Sequence, residues 1–430
     1  MTEPGGGSTQ TGDLEADVAR AERLALDGET DAAVEGLTRA ANRGHAYASA
    51  LLGAWQTLGH LVDADPTAGI ARLEAAAHAG ESAACAFLAN LYAGGLQVDQ
   101  SWQRSIDWLL AAARLGNARA LTELALMAQG PAPDALRIHL LMAATTRDFA
   151  PAQFLLGREL IASDDPQHRQ VGAAWIGAAA AGGDPSARAE VAPDQPVARS
   201  RGALAVEGYD WPQVRGRCDP VPLLAVPTGA TARPVPPATT VERLIPESWC
   251  HYVMGLAAPR LQRATVNDIA RGAIVHEMRT NSTTCFPAAD SDPLLQLINH
   301  RVAQACGLPL AHQEVIAVLH YRPDQTYEDH FDFIDPEVPR FHEELAVRGQ
   351  RVATVLIYLS AACEAGETDF PRLGWRHKGR PGDALVFRNV TDAGEPDRRT
   401  LHAGRAPTRG EKWLLSKWVR SRPQDVRDRS

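Results

Sequence analysis

Apolar positions between residues 15 and 192 recur with helical period in alanine-rich bursts, each closing on an Ala-Ala pair and a turn. The pairs are Ala40-Ala41, Ala76-Ala77, Ala112-Ala113, Ala143-Ala144 and Ala179-Ala180, and the turn glycines Gly44, Gly80 and Gly116 stand at equal spacing. The fourth unit is shorter, with Asp148 near the place of its glycine. A period in the thirties with two helices per unit predicts a stacked α/α solenoid. Alanine lets neighbouring helices approach closely. Leu73, Phe87, Leu88, Leu91, Trp108, Leu109, Leu124, Phe154 and Leu155 are expected to fill the gaps between layers, as are Trp102 and Trp175. Glycine ends each first helix because the turn needs a left-handed residue.

The pattern changes after residue 192. Residues 193–238 are rich in Pro, Ala, Arg and Gly and read as a linker, with one strand expected over Val221–Val226. From Thr240 the chain becomes globular again. Pro246–Leu256 and Pro293–Cys306 carry helical spacing; Glu314–Tyr321, Arg351–Leu359, Asp383–Phe387 and Lys412–Val419 read as strands between Gly, Pro and Asp turns. Two helices followed by many short strands predict a β-sandwich or barrel with helical support. The fold class is therefore multidomain α+β. Its expected parts are an unstructured N-terminus over 1–14, repeats over 15–192, the linker, a barrel domain over 239–422 and a basic tail over 423–430.

The chain of 430 residues is long enough for two or more domains. Its net charge of −9 is uneven, and the acidic excess lies in residues 1–195. An acidic first half argues against nucleic acid as a partner, because phosphate binding needs clustered cations. The N-terminus lacks an apolar signal core, and no stretch approaches a membrane span, so a cytoplasmic protein is expected. The six cysteines form no CxxC pair and read as reduced thiols. Three lysines (Lys378, Lys412, Lys417) stand against 40 arginines, which with the abundant alanine suggests GC-rich bacterial coding. It also makes each lysine conspicuous.

Chemistry concentrates late in the chain. His330 and Asp332 are two residues apart; in a strand they would share a face, with Phe331 turned into the core. His402 is the candidate third ligand. Two histidines and one carboxylate on one face of an iron leave positions open for other ligands. HxD alone is a weak signal, but Lys412 lies ten residues past His402 and could grip a carboxylate as a buried ammonium.

Further ordered motifs surround these residues: Tyr321 and Tyr327 ahead of the HxD pair, Gly349-Gln350-Arg351 through Thr354 to Tyr358, Gly366 through Thr368 to Pro371, Gly379 through Gly382-Asp383 to Phe387, and Gly410 through Lys412 to Trp418. With Arg279–Ser282 upstream, residues 240–420 resemble a prolyl 4-hydroxylase catalytic domain, a double-stranded β-helix or jelly roll of the Fe(II)- and 2-oxoglutarate-dependent dioxygenases. The earlier units resemble Sel-like repeats of the tetratricopeptide class, which bind proteins or peptides.

The resemblance implies roles. His330, Asp332 and His402 would bind iron. Lys412 would hold the distal carboxylate of 2-oxoglutarate, with Tyr358 and Thr368 near it and Tyr321 at the other end. Tyr327, Arg351 and Trp418 match positions lining a peptide-proline pocket. Arg420 departs from the pattern, since some relatives carry histidine there. Residues Ile334–Gly349 would form a mobile loop, with His342 as a solvated loop histidine. Arg420, Arg422, Arg427 and Arg429 read as basic residues of a solvated tail.

The implied reaction consumes 2-oxoglutarate and O2, releases succinate and CO2 and hydroxylates a C–H bond, with ascorbate as reductant. The leading expectation is prolyl 4-hydroxylation of a peptide or protein recruited by the repeats. The alternatives are a hydroxylase of a free amino acid or other small molecule, and a non-enzymatic interaction protein with a decayed oxygenase domain.

Overall fold

The computed structural model describes all residues except 1–6, 129, 147, 192–207, 234–235, 269–271, 275–276 and 426–430. Two compact units emerge from its packing. Of the described residues, one comprises those up to 124 with 288–296, and the other those of 125–287 and from 297 onward.

The first unit is a helical stack. Helices Thr30–Asn42, Pro66–His78 and Trp102–Arg114 are each followed by a second helix: Ala46–Leu58, Ser82–Gly94 and Ala118–Met127. Asp65 and Ser101 cap the helices they precede by accepting from backbone N–H groups. Gly44, Gly80 and Gly116 turn with φ of 87°, 90° and 76°, and Asp148 takes the same left-handed conformation in the following repeat at 55°. Two helices of the stack approach closely where Gly53 and Gly69 face each other: a Cβ on Gly69 would lie 2.6 Å from the Thr57 nitrogen. Most of the expected filling residues are buried, whereas Phe87, Trp102 and Trp108 are only half-buried.

The helix ahead of the first pair starts at Gly7, so residues 7–14, expected to lack structure, are helical. The cause is an apolar stripe of Leu14, Val18, Ala21 and Ala25 that packs on the first repeat. Residues 288–296 join this unit through specific bonds. Asn90 donates to the Ala288 carbonyl at 2.8 Å and accepts from Gln296 at 3.0 Å, and Arg119 holds Asp292 at 2.6 Å.

The second unit begins with the later repeat helices, Ala135–Thr145, Ala150–Ile161, Pro166–Ala181 and Pro185–Glu190. Helix Glu247–Ala257 packs on them. His251 meets the Ser186 hydroxyl at 2.8 Å, and Phe154 meets His251 edge-on at 4.8 Å. Part of the expected linker is outside the described residues. Its described remainder holds helices Trp211–Arg217 and Val221–Leu224, so the strand expected at Val221–Val226 is a helical turn. Pro222 presets a helical φ there and supplies no N–H to a sheet.

The barrel consists of two facing sheets. The larger runs in the order Ala230–Arg233, Ala238–Val241, Ala384–Arg388, Arg351–Tyr358, Lys412–Arg420, Ile316–Tyr321, Ser282–Phe286, Gln262–Arg263. The smaller runs Trp375–His377, Thr368–Phe370, His402–Gly404, Tyr327–His330. The pairings described are antiparallel. Period-2 alternation sends Leu319, Tyr321, Leu356, Tyr358, Leu385, Phe387 and Leu414 to the inner face, where Phe370 of the smaller sheet meets them. This is the jelly-roll architecture, with helix Pro293–Cys306 at the bounds its periodicity predicts.

Candidate active site

His402 lies directly opposite His330 across the smaller sheet, so register alone brings the two imidazoles together at 4.3 Å between ring centres. Asp332 reaches them from outside the strand, which ends at His330; the expected i, i+2 strand geometry does not extend that far. The chain bends instead, bringing Asp332 Oδ2 to 3.5 Å from His402 Nε2 and Oδ1 to 3.8 Å from His330 Nε2. Phe331, expected in the core, is half-buried against Phe333 at 4.6 Å, and Phe333 is the buried ring. Among the described residues, this is the cluster whose donor atoms could hold a metal ion: one atom from each lies within 4.8 Å of the others.

Supporting bonds fix each ligand. His330 Nδ1 meets the Glu328 carbonyl at 2.7 Å and His402 Nδ1 the Thr400 carbonyl at 3.0 Å. A carbonyl accepts only from N–H, so each Nε2 is left with its lone pair for a metal. Burial and the neighbouring imidazole push the His330 pKa down to about 3, keeping it neutral. Burial alone would raise the Asp332 pKa; the two imidazoles and the Thr354 hydroxyl outweigh it and hold it low. Thr354 donates to Asp332 at 2.7 Å and accepts from Asn389 at 2.9 Å. Two nitrogens and an ionised carboxylate are the donor set of a non-haem iron site.

Lys412 stands opposite Tyr321 in the larger sheet, its Nζ 4.7 Å from the Tyr321 ring centre. Lys412 is 3% exposed, and its ammonium has no hydrogen-bond partner among the described residues. Burial pushes its pKa down to about 7. An unpaired buried cation of this kind fits an anionic ligand. Tyr358 and Thr368 share a hydrogen bond of 3.0 Å, both buried. The Tyr321 hydroxyl lies where a Cβ on Gly404 would come within 2.8 Å, placing it beside the His402 strand.

The substrate-side expectations divide. Tyr327 stacks on His330 with ring centres 3.5 Å apart, and the Arg279 guanidinium covers the Tyr327 ring at 4.5 Å. Arg351 sits over Trp418 at 4.3 Å, but its Nε and Nη2 are committed to Glu314 at 2.7 and 2.8 Å. His342 is not brought to the triad; it meets the Pro336 carbonyl at 2.9 Å. Arg420, assigned above to a solvated tail, is fully buried inside the last strand. The strand runs one residue past the expected Val419, and Glu314 and Glu344 hold the guanidinium there. Sequence reasoning missed Asn389 and the stacking of Arg279. A buried Asn after a strand carries no local signature, whereas the Arg279–Ser282 motif marked the segment without the contact it makes.

A profile of the 2OG-Fe(II) oxygenase superfamily matches residues 316–420. Probable prolyl 4-hydroxylase 10 of Arabidopsis thaliana is 32% identical over 206 residues, covering 43% of this chain and 69% of that protein. Prolyl 4-hydroxylase subunit alpha-1 of Rattus norvegicus is 34% identical over 184 residues, 43% of this chain; the match spans 34% of the rat subunit. Among solved structures, the viral collagen prolyl hydroxylase of Paramecium Bursaria Chlorella virus-1 is similar at 23% identity and a TM-score of 0.33, covering 42% of this chain and 94% of that one. A Sel1 repeat protein from Oxalobacter formigenes is similar at 20% identity and a TM-score of 0.34, covering 43% of this chain and 79% of that one.

Proposed function

The chain belongs to the prolyl 4-hydroxylase family of 2OG-Fe(II) oxygenases, and on that premise we propose that it hydroxylates a prolyl C–H bond in a peptide or protein. The reaction would consume 2-oxoglutarate and O2 and release succinate and CO2. The observation that carries this reading is the meeting of His330, Asp332 and His402 in a barrel whose inner face also holds the unpartnered Lys412 ammonium.

Iron bound there supplies the activation of O2, using 2-oxoglutarate as reductant. The chain's own residues do the rest. His330 and His402 offer Nε2 because backbone carbonyls hold their Nδ1 protons. Thr354 orients Asp332. Lys412 takes the distal carboxylate of 2-oxoglutarate, and Tyr321, Tyr358 and Thr368 border the co-substrate. Tyr327, Arg351 and Trp418 line the substrate side. Burial of the inner face excludes water, which protects a reactive oxidant from side reactions.

Ascorbate as reductant, a cytoplasmic setting and recruitment of the substrate by the repeats belong to the same proposal. No helix among the described residues is long and apolar enough to cross a membrane. The test is incubation with Fe(II), 2-oxoglutarate and proline-rich peptides, followed by mass spectrometry for the gain of one oxygen. Succinate release with unaltered peptides, alongside oxidation of free proline, would move the substrate to a small molecule.

A further inference from the structure

Arg420 ends the strand that starts at Lys412 and has no solvent exposure. Each of its three nitrogens donates one hydrogen bond. Nε donates to Glu314, Nη1 to the Gly349 carbonyl at 2.8 Å and Nη2 to Glu344 at 2.5 Å. The same Glu314 carboxylate accepts both bonds from Arg351. Two cations on one buried anion would repel each other, and Glu344 supplies the second negative charge. The result is an alternating row: Arg351, Glu314, Arg420, Glu344.

One end of the row touches the site. Arg351 covers Trp418, Trp418 stands opposite Thr354 in the sheet, and Thr354 donates to Asp332. The other end touches helix His342–Arg348, which is held further by Arg348 to Gln424 at 2.9 Å, by Gln424 back to the Arg348 carbonyl at 2.9 Å and by Arg422 to the Ala346 carbonyl. With Nε and Nη2 committed to Glu314, Nη1 is the edge Arg351 has left for a substrate carbonyl.

The geometry points to Arg420 as a positioning residue that fixes Arg351 over Trp418 and couples that placement to helix His342–Arg348. This rests on the reading of Arg351 and Trp418 as substrate-facing residues. Arg420 does not touch substrate; it acts through Glu314. Lysine at this position would keep the charge but could not span two carboxylates and a carbonyl from one plane.

The test compares the full chain with Glu344→Gln, Arg420→Lys and Arg420→Met, each loaded with iron and 2-oxoglutarate without O2. Hydrogen exchange needs no substrate. Amides of 342–350 should exchange at least about tenfold faster in Glu344→Gln and Arg420→Met, with Arg420→Lys between. On a proline-rich peptide the same variants should raise KM about tenfold, out of proportion to kcat, whereas calorimetric affinity for 2-oxoglutarate shifts far less. Exchange equal to the parent's in Glu344→Gln overturns the coupling. So does a peptide KM that stays level, or a 2-oxoglutarate affinity that falls as far as the peptide's. Should the parent oxidise no peptide, the functional reading fails on its own, and exchange alone decides the row: acceleration upholds it and parity overturns it. Glu344 is partly exposed, so its variant remains informative if the Arg420 variants do not fold.

Discussion

Lys412 and Arg420 stand at opposite ends of one strand, and both are buried cations. Their surroundings are opposite. The ammonium of Lys412 meets no hydrogen-bond partner among the described residues, and burial drags its pKa to about 7. Arg420 is met by two carboxylates and a carbonyl. A buried charge is costly unless paired, so the unpaired cation fits a place for a ligand and the paired one fits a brace. Burial and residue type alone would not separate them; the partner inventory does.

The largest expected effect sharpens the Lys412 half. If Lys412 waits for a ligand whose other end sits at the triad, removing the triad must strand it. His330→Ala or Asp332→Ala should abolish succinate formation and iron binding, because two remaining ligands do not hold the ion. Addition of 2-oxoglutarate should then no longer raise the Tm. Turnover at the parental rate in either variant would dissolve the assignment of the site.

The next two effects have opposite signs. Arg420→Met leaves Glu314 and Glu344 with a lost partner and should destabilise by about 3–5 kcal/mol in denaturant unfolding. Lys412→Met removes an unpaired charge and should stabilise the ligand-free protein by about 2–4 kcal/mol at neutral pH, as a pKa lowered by several units implies. The same substitution should weaken 2-oxoglutarate about ten- to a hundredfold through loss of a charge-assisted contact. Equal signs for the two variants would erase the distinction between waiting cation and brace.

Much of this was legible in the sequence, for identifiable reasons. Helical repeats declare themselves through Gly44, Gly80 and Gly116, since the left-handed turn restricts the residue; Asp148 was legible only by its place in the period, and the structure gives it a positive φ as well. The grouping of Tyr321, Tyr358 and Lys412 was legible only through the family resemblance; strand alternation, seen in the structure, gives its physical reason. Bends and long-range charge pairs were not legible. Asp332 works from beyond its strand, so the i, i+2 rule found the residue through the wrong geometry. Arg420 looked like part of a basic terminus because its partners, Glu314 and Glu344, are far away in sequence, and composition carries no trace of such pairing. Val221–Leu224 turned helical for a local reason, its proline, that a run of apolar residues conceals.

The smallest effect is a pH dependence, and it tests the Lys412 half without changing its charge chemistry by mutation. In the ligand-free protein burial holds the Lys412 pKa at about 7, below its ordinary value. A dicarboxylate beside it favours the ammonium and raises the pKa in the complex, so binding takes up a proton wherever the free site is neutral. Affinity for 2-oxoglutarate should therefore be greatest below pH 7 and fall as pH rises, by about fivefold between pH 7 and 8 at saturating metal. The free protein moves the other way: its Lys412 penalty is present at neutral pH and fades as pH climbs through 7 towards the unfolded-state value. Arginine does not titrate in this range, so Lys412→Arg should flatten the affinity profile even where it weakens binding. Calorimetry in two buffers of different ionisation enthalpy would report the proton uptake directly. A flat profile in the parent chain with no proton uptake would mean that Lys412 is already charged and paired in solution, and the contrast with Arg420 would lose its physical basis.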